Sequence, residues 1–147
     1  MRPVSDIAAR FPAHDDPSWA GRAQVTFIIP AFNAERTIAR PLLSLAAQSV
    51  QAWRAVVVDD GSRRAEFEAT RQAACGDSRV RILRQDHRGQ GAARNRGLAA
   101  ATTPWVVFLD ADDDLAPDFL RHMLAMARAA DENTAVFCGC LRLTAEG

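Results

Sequence analysis

Short continuous apolar runs alternate along this chain with segments of helical period. Val25 to Ile29 is the first run; it ends at Pro30 and suits a strand buried on both faces. From Ala34 to Gln48, Ile38, Leu42, Leu45 and Ser49 trace one helical face, and Pro41 predicts a kink or a late start because it cannot donate to Thr37. Trp53 to Val58 predicts a second strand, closed by Asp59-Asp60-Gly61-Ser62, and Arg63 to Cys75 a helix stopped at Gly76. Val80 to Leu83 is a third strand, and Gly89 to Ala101 a helix of small residues with glycines at its entrance. Trp105 to Leu109 is a fourth strand, running into Asp110-Ala111-Asp112-Asp113-Asp114. Pro117 is placed at the first position of a further helix, with Phe119, Leu120, Met123, Leu124 and Ala127 on its apolar side. Thr134 to Leu143 predicts a fifth strand.

Strand followed by helix, four times over, is the pattern of an α/β sheet that is mostly parallel and covered by helices on both faces. Ligands of such sheets sit beyond the carboxyl ends of the strands. Asn33, Asp59, Asp60, Asp110 and Asp112 each follow an apolar strand, so the polar chemistry collects where a ligand is expected.

Composition narrows the chemistry. The 147 residues carry 18 basic and 18 acidic side chains, and every basic one is arginine. Without lysine, a Schiff base or a P-loop lysine is excluded within this sequence. A formal net charge of zero argues against a general nucleic-acid binder, which needs a basic excess to displace counterions. The apolar fraction of 48% includes 29 alanines, so the core is adequate rather than large. No apolar run approaches the ~20 residues of a membrane helix. Residues 1–23, with three prolines and no apolar stretch fit for a signal peptide, read as a flexible arm before a domain over 24–147. Three cysteines do not suit a disulfide framework, which points to a reducing cytoplasm, and Cys138 and Cys140 read as small core residues.

Three clusters carry candidate chemistry. Asp110 and Asp112, just past a strand, can both reach a hard cation; Mg2+ and Mn2+ take about six oxygen ligands, often only one or two of them protein carboxylates, so the pair suits a metal diphosphate. The same residues also fit a solvated acidic loop, with Asp114 near a helix N-terminus. Asp59 and Asp60 can accept the imide N–H of a uracil or thymine ring, and Gly61 permits a sharp turn; a plain Asp-Gly turn fits as well. In Gly89-Gln90-Gly91-Ala92-Ala93-Arg94-Asn95-Arg96-Gly97, glycines at a helix start bring N–H groups toward an anion and the arginines can grip phosphate. The alternative for Arg94 and Arg96 is a solvated helix face.

Read in order, VTFIIPAFN, VVVDDGS, GAARNRG and FLDADD, with the helix ending SLAAQS, resemble the nucleotide-binding half of a family 2 glycosyltransferase of the Rossmann-like GT-A fold, over about Val25 to Leu143. The resemblance implies that Pro30, Ala31, Phe32 and Asn33, with Asp59 and Asp60, face the nucleotide base. It implies Arg94 and Asn95 near the ribose and phosphates, Asp112 as direct ligand of Mg2+ or Mn2+, and Asp110 nearer the ribose. The implied reaction is inverting transfer of a sugar from a nucleoside diphosphate, UDP first among them, to a hydroxyl of an unidentified glycan, lipid or protein acceptor. The implied location is cytoplasmic, at the inner face of a membrane through the rest of the enzyme.

The family continues for roughly another hundred residues, while this sequence stops soon after its fifth strand, and the catalytic base is expected beyond Gly147. Glu132 and Glu146 do not take its place. The expectation is a donor-binding half lacking its acceptor region, inactive alone, that is completed by more chain or by a partner. The rival from another class is a non-catalytic nucleotide-sugar-binding module or assembly subunit. A receiver domain needs a lysine and an acid pair after its first strand, and a haloacid-dehalogenase phosphatase opens with its D-x-D; neither fits.

Overall fold

A computed structural model describes residues 23–74, 76–129 and 135. Its strands are β1 (Val25–Ala31), β2 (Trp53–Asp60), β3 (Val80–Gln85) and β4 (Trp105–Phe108), and its helices are α1 (Ala39–Ala46), α2 (Arg64–Ala73), α3 (Gln90–Ala100) and α4 (Phe119–Ala129). The four strands form one sheet in the order β3-β2-β1-β4, and every pairing is parallel. The α/β class and the doubly covered sheet expected from the sequence are therefore present. The expected fifth strand, apart from Ala135, the two terminal segments, and Cys138 and Cys140 lie outside the described residues.

β1 and β2 are buried at every position, as their unbroken apolar runs require. Alternation along β1 divides its side chains between two cores. Val25, Phe27, Ile29 and Ala31 face Ile38, Leu42, Leu45, Ala74, Leu120 and Leu124, so α1, the end of α2 and α4 cover one side. On the other side Val56 and Val58 meet Ala93 of α3, with Leu83 and Ala100 packed against them. Burying each large aliphatic or aromatic side chain stabilises the fold by roughly 1.5–3 kcal/mol, so the first core carries most of the hydrophobic stabilisation. α3 instead comes close through small residues: a Cβ on Gly97 would lie 2.3 Å from Ile28 Cγ2.

Helix ends follow local chemistry. Pro41 sits in the first turn of α1, where its missing N–H costs little; a late start, not a kink, is what the proline imposes. Gly76, at φ +94°, stands just past α2. α4 begins at Phe119, so Pro117 lies in the turn before it and not at its first position. That turn is held by Gln48, almost fully buried, whose Nε2 donates to Ala116 O (2.8 Å) while its Oε1 accepts from Leu120 N (2.9 Å). Ser49, predicted on the apolar face, is exposed and donates to Asp118 instead (2.7 Å).

The strand order has a consequence for ligands. The chain steps from β1 outward to β2 and β3, then returns to place β4 on the far side of β1. The connection from β1 leads toward β2 while β4 lies on its other side, so the strand order reverses between β1 and β4, and the crevice at such a switch point is where open α/β sheets bind ligands. No helix among the described residues is long and apolar enough to cross a membrane.

Candidate functional site

A cleft of about 550 Å3 opens at that switch point. The β1–α1 loop contributes Phe32 and Asn33, the end of β2 Asp60, the β3–α3 loop His87, α3 Gln90, and the segment after β4 Asp110 and Asp112. Of the residues singled out in the sequence, Pro30, Ala31, Phe32, Asn33, Asp60, Asp110 and Asp112 line this cleft. Asp59, Arg94 and Asn95 do not.

The reason for each exception is geometric. Neighbouring strand residues point to opposite sides, so Asp60 and Asp59 cannot both face the cleft. Asp59 is fully buried on the α2 side, its Oδ2 3.3 Å from Arg84 Nε, and neither carboxylate oxygen has a well-aligned hydrogen bond. On α3, Ala93 and Gly97 are buried against the sheet, which turns Asn95 outward to solvent. Arg94, between those directions, reaches the rim of the site through Asp110: its Nη2 donates to Asp110 Oδ1 at 2.7 Å.

Asp60 is saturated within the protein. Its Oδ1 accepts from Gln85 Nε2 (2.7 Å) and Arg88 N (2.9 Å); its Oδ2 accepts from Gly89 N (2.8 Å) and lies 2.9 Å from His87 Nδ1. Burial alone would push this carboxyl up, but the Gln85 hydrogen bond, the two backbone N–H groups and the nearby His87 outweigh it and hold Asp60 below its ordinary value. One side chain thus ties the end of β2 to the whole β3–α3 loop. Gly61 makes the close approach possible: it adopts φ +79°, and a Cβ there would fall 2.6 Å from His87 N.

Sequence reasoning missed His87. Its ring stacks on Phe32 with centroids 4.2 Å apart and planes 28° from parallel, forming an aromatic wall of the cleft. β3 runs two residues further than its apolar run, through Arg84 and Gln85, which pair with Asp59 and Asp60. His87 therefore lies just beyond a strand end, the rule that found the other residues.

The acidic segment after β4 is open by contrast. Asp110 is half-buried and shares Oδ1 between Arg94 and Gln90 Nε2 (3.2 Å). Asp112 is exposed and makes no hydrogen bond or ion pair with another described residue. Asp114, read as a possible helix-end charge, pairs with Arg40 of α1 at 2.7 Å. No three His, Cys, Asp or Glu side chains converge among the described residues, so a cation here would draw on two carboxylates. Carboxylates are hard oxygen donors, and a two-carboxylate set leaves coordination positions for phosphate and water, which fits Mg2+ or Mn2+ bound with a diphosphate.

Comparisons with known proteins agree on one family. Residues 26–144 match the family model of glycosyl transferase family 2. The succinoglycan biosynthesis protein ExoO of Rhizobium meliloti is 43% identical over 113 residues, covering 76% of this chain and 32% of that protein. Among solved structures, Staphylococcus aureus TarS (residues 1–349) in complex with UDP superposes with a TM-score of 0.66 at 26% identity, over 72% of this chain and 32% of that one. The mannosyltransferase PcManGT of Pyrobaculum calidifontis, in complex with GDP-mannose and Mn2+, gives a TM-score of 0.64 at 28% identity, over 82% of this chain and 36% of its own. The chain spans about a third of the length of the curated relatives it matches.

Proposed function

The chain belongs to glycosyl transferase family 2, and from that premise we propose that its cleft holds the nucleoside diphosphate of a sugar donor, UDP-sugar first among them. One observation carries the reading: the switch-point cleft is lined both by an aromatic pair, Phe32 and His87, and by the carboxylates Asp110 and Asp112 after β4. A base and a diphosphate need those two environments at the two ends of one ligand. Neighbours of the same fold were solved with UDP and with GDP-mannose and Mn2+, which supports the ligand class.

In this reading Pro30, Ala31, Phe32 and Asn33 form the base side, with Asp60 holding the loop that carries His87. Asp112 and Asp110 are the residues that would hold Mg2+ or Mn2+, whose chemistry when bound is neutralisation of charge on the departing diphosphate. Asp112 is free to ligate directly. Asp110, already bonded to Arg94, would face the ribose and keep that arginine near the phosphates. Transfer is inverting: a base beyond these residues takes the proton of an acceptor hydroxyl as its oxygen attacks the anomeric carbon. The acceptor is a glycan, lipid or protein met on the cytoplasmic side of a membrane, and its site belongs to further chain or to a partner.

Calorimetric titration of UDP, GDP and dTDP into the chain, with and without Mn2+, tests this. Metal-dependent binding of one nucleotide supports the donor site. A folded sample that binds none of them, either alone or fused to an acceptor region, removes the reading.

A further inference from the structure

Two adjacent carboxylates end β2, and they organise two different loops. Asp60 holds the β3–α3 loop directly. Asp59 has no access to the cleft, being 0% exposed, yet a charge that deep is costly unless a partner compensates it. The partner is Arg84 of β3, brought alongside by the parallel register that pairs the two residues. Arg84 spreads over the ring of Phe67, 4.4 Å from its centroid, and its Nη2 donates to the carbonyl of Ser62 at 2.7 Å. Ser62 is itself buried, and its Oγ accepts the backbone N–H of Asn33 at 2.9 Å. The Asn33 side chain in turn accepts from Arg63 N at 3.3 Å.

Asn33 has a left-handed backbone, φ +49°, the one such residue other than glycine among those described. That conformation is uncommon for a side chain to adopt and persists when its surroundings over-determine it. Here Ser62 and Arg63, in the loop after β2, do so. Phe32, next to Asn33, is the exposed aromatic of the cleft at 48% exposure, so the direction it takes depends on how Asn33 is held.

We propose that Arg84, anchored by Asp59, is a positioning residue that fixes the β1–α1 loop through Ser62 and Asn33 and thereby shapes the base side of the cleft. A guanidinium can bridge a carboxylate on one side and a carbonyl on another in fixed geometry, which an ammonium does less well. The part about nucleotide affinity rests on the donor-site reading above; the part about the loop does not.

The test uses amide hydrogen exchange and nucleotide titration on the full chain. Arg84→Met strands the buried Asp59 charge and risks unfolding, so it is paired with Asp59→Asn/Arg84→Met, which removes both charges. In a folded variant, protection of the Asn33 amide is expected to fall about tenfold or more, while Arg88 and Gly89, held by Asp60, keep theirs. Arg84→Lys keeps the charge and is expected to leave Asn33 partly protected. Unchanged Asn33 protection in the folded double variant overturns the proposal, as does an equal loss at Asn33, Arg88, Gly89 and the β1 core. UDP affinity in Mn2+ is expected to weaken about tenfold with its metal dependence intact; unchanged affinity despite a loosened Asn33 overturns the claim on the cleft. If the parent chain binds no nucleotide either alone or fused to an acceptor region, the donor-site reading fails while the exchange result still decides the positioning role.

Discussion

At the end of β2 two carboxylates are buried, Asp60 saturated by hydrogen bonds and Asp59 paired with Arg84, whereas after β4 Asp110 is half-buried against Arg94 and Asp112 is exposed. Residue type and topological place are the same, but the surroundings differ. Asp60 meets a side-chain amide, two backbone N–H groups and a histidine, and Asp59 meets an arginine behind the sheet. Asp112 has no hydrogen bond or ion pair with another described residue and feels the nearby charge of Arg40. A carboxylate whose lone pairs are filled by the protein can shape a site but has little left with which to bind. One left open retains that capacity, and solvation makes its charge cheap to keep.

The largest effect that would sharpen this contrast is removal of Asp60. Asp60→Ala leaves the N–H groups of Arg88 and Gly89 without their acceptor, and the chain is expected to lose about 3 kcal/mol in urea unfolding. A loss under about 0.5 kcal/mol would mean that its bonds do not organise the loop. Asp112→Ala should show the opposite profile. Stability is expected to change by less than about 0.5 kcal/mol, while the Mn2+-dependent part of nucleotide binding disappears. Metal-dependent affinity equal to the parent's would place the cation elsewhere.

Acid offers a third, smaller test. Asp60 has its folded value held below the ordinary 3.8, so its ionised form stabilises the fold at neutral pH. That contribution is fully present above the unfolded value and is lost as pH falls through the folded one. The urea midpoint of the parent should therefore drop below about pH 4 more steeply than that of Asp60→Asn. Parallel curves for the two proteins would remove Asp60 from the acid response. Least affected should be the pairing of Arg40 with Asp114, both of them well exposed. Arg40→Gln is expected to leave the thermal midpoint unchanged, since exposed ion pairs are screened and held at an entropic cost. A clear drop would show that the open acidic segment is more tightly tied to α1 than its exposure suggests.

Much of this arrangement was readable before any coordinates. Unbroken apolar runs identify β1 and β2 because buried parallel strands have no polar face to alternate with, and Pro41 dates the start of α1. The strand-end rule finds Asn33, Asp60, Asp110 and Asp112. The same rule also picks Asp59, which the two-residue period of a strand turns away from Asp60 and from the cleft. Helical phase likewise separates Asn95 from Ala93 and Gly97. What the local pattern lacks is pairing. Arg84 and Gln85 look like the polar end of β3, and only their register with Asp59 and Asp60 shows that the strand continues and brings His87 to the cleft. The Arg84–Ser62–Asn33 connection is equally non-local, joining three segments that have no common sequence signal.

The return of the chain across β1 also imposes a schedule on assembly. β1, β2 and β3 pair with sequence neighbours through single helical connections, but β4 must come back to a strand from which it is separated by most of the domain; Thr26 and Thr103, bonded across that seam, are 77 residues apart. Closing such a contact is slow relative to local pairing. On a ribosome, the residues of the aromatic wall, Phe32 and His87, emerge while the carboxylates of the segment after β4 are still unsynthesised. The residues of the cleft are thus synthesised in two instalments, the aromatic pair and Asp60 first and the carboxylates after β4 last.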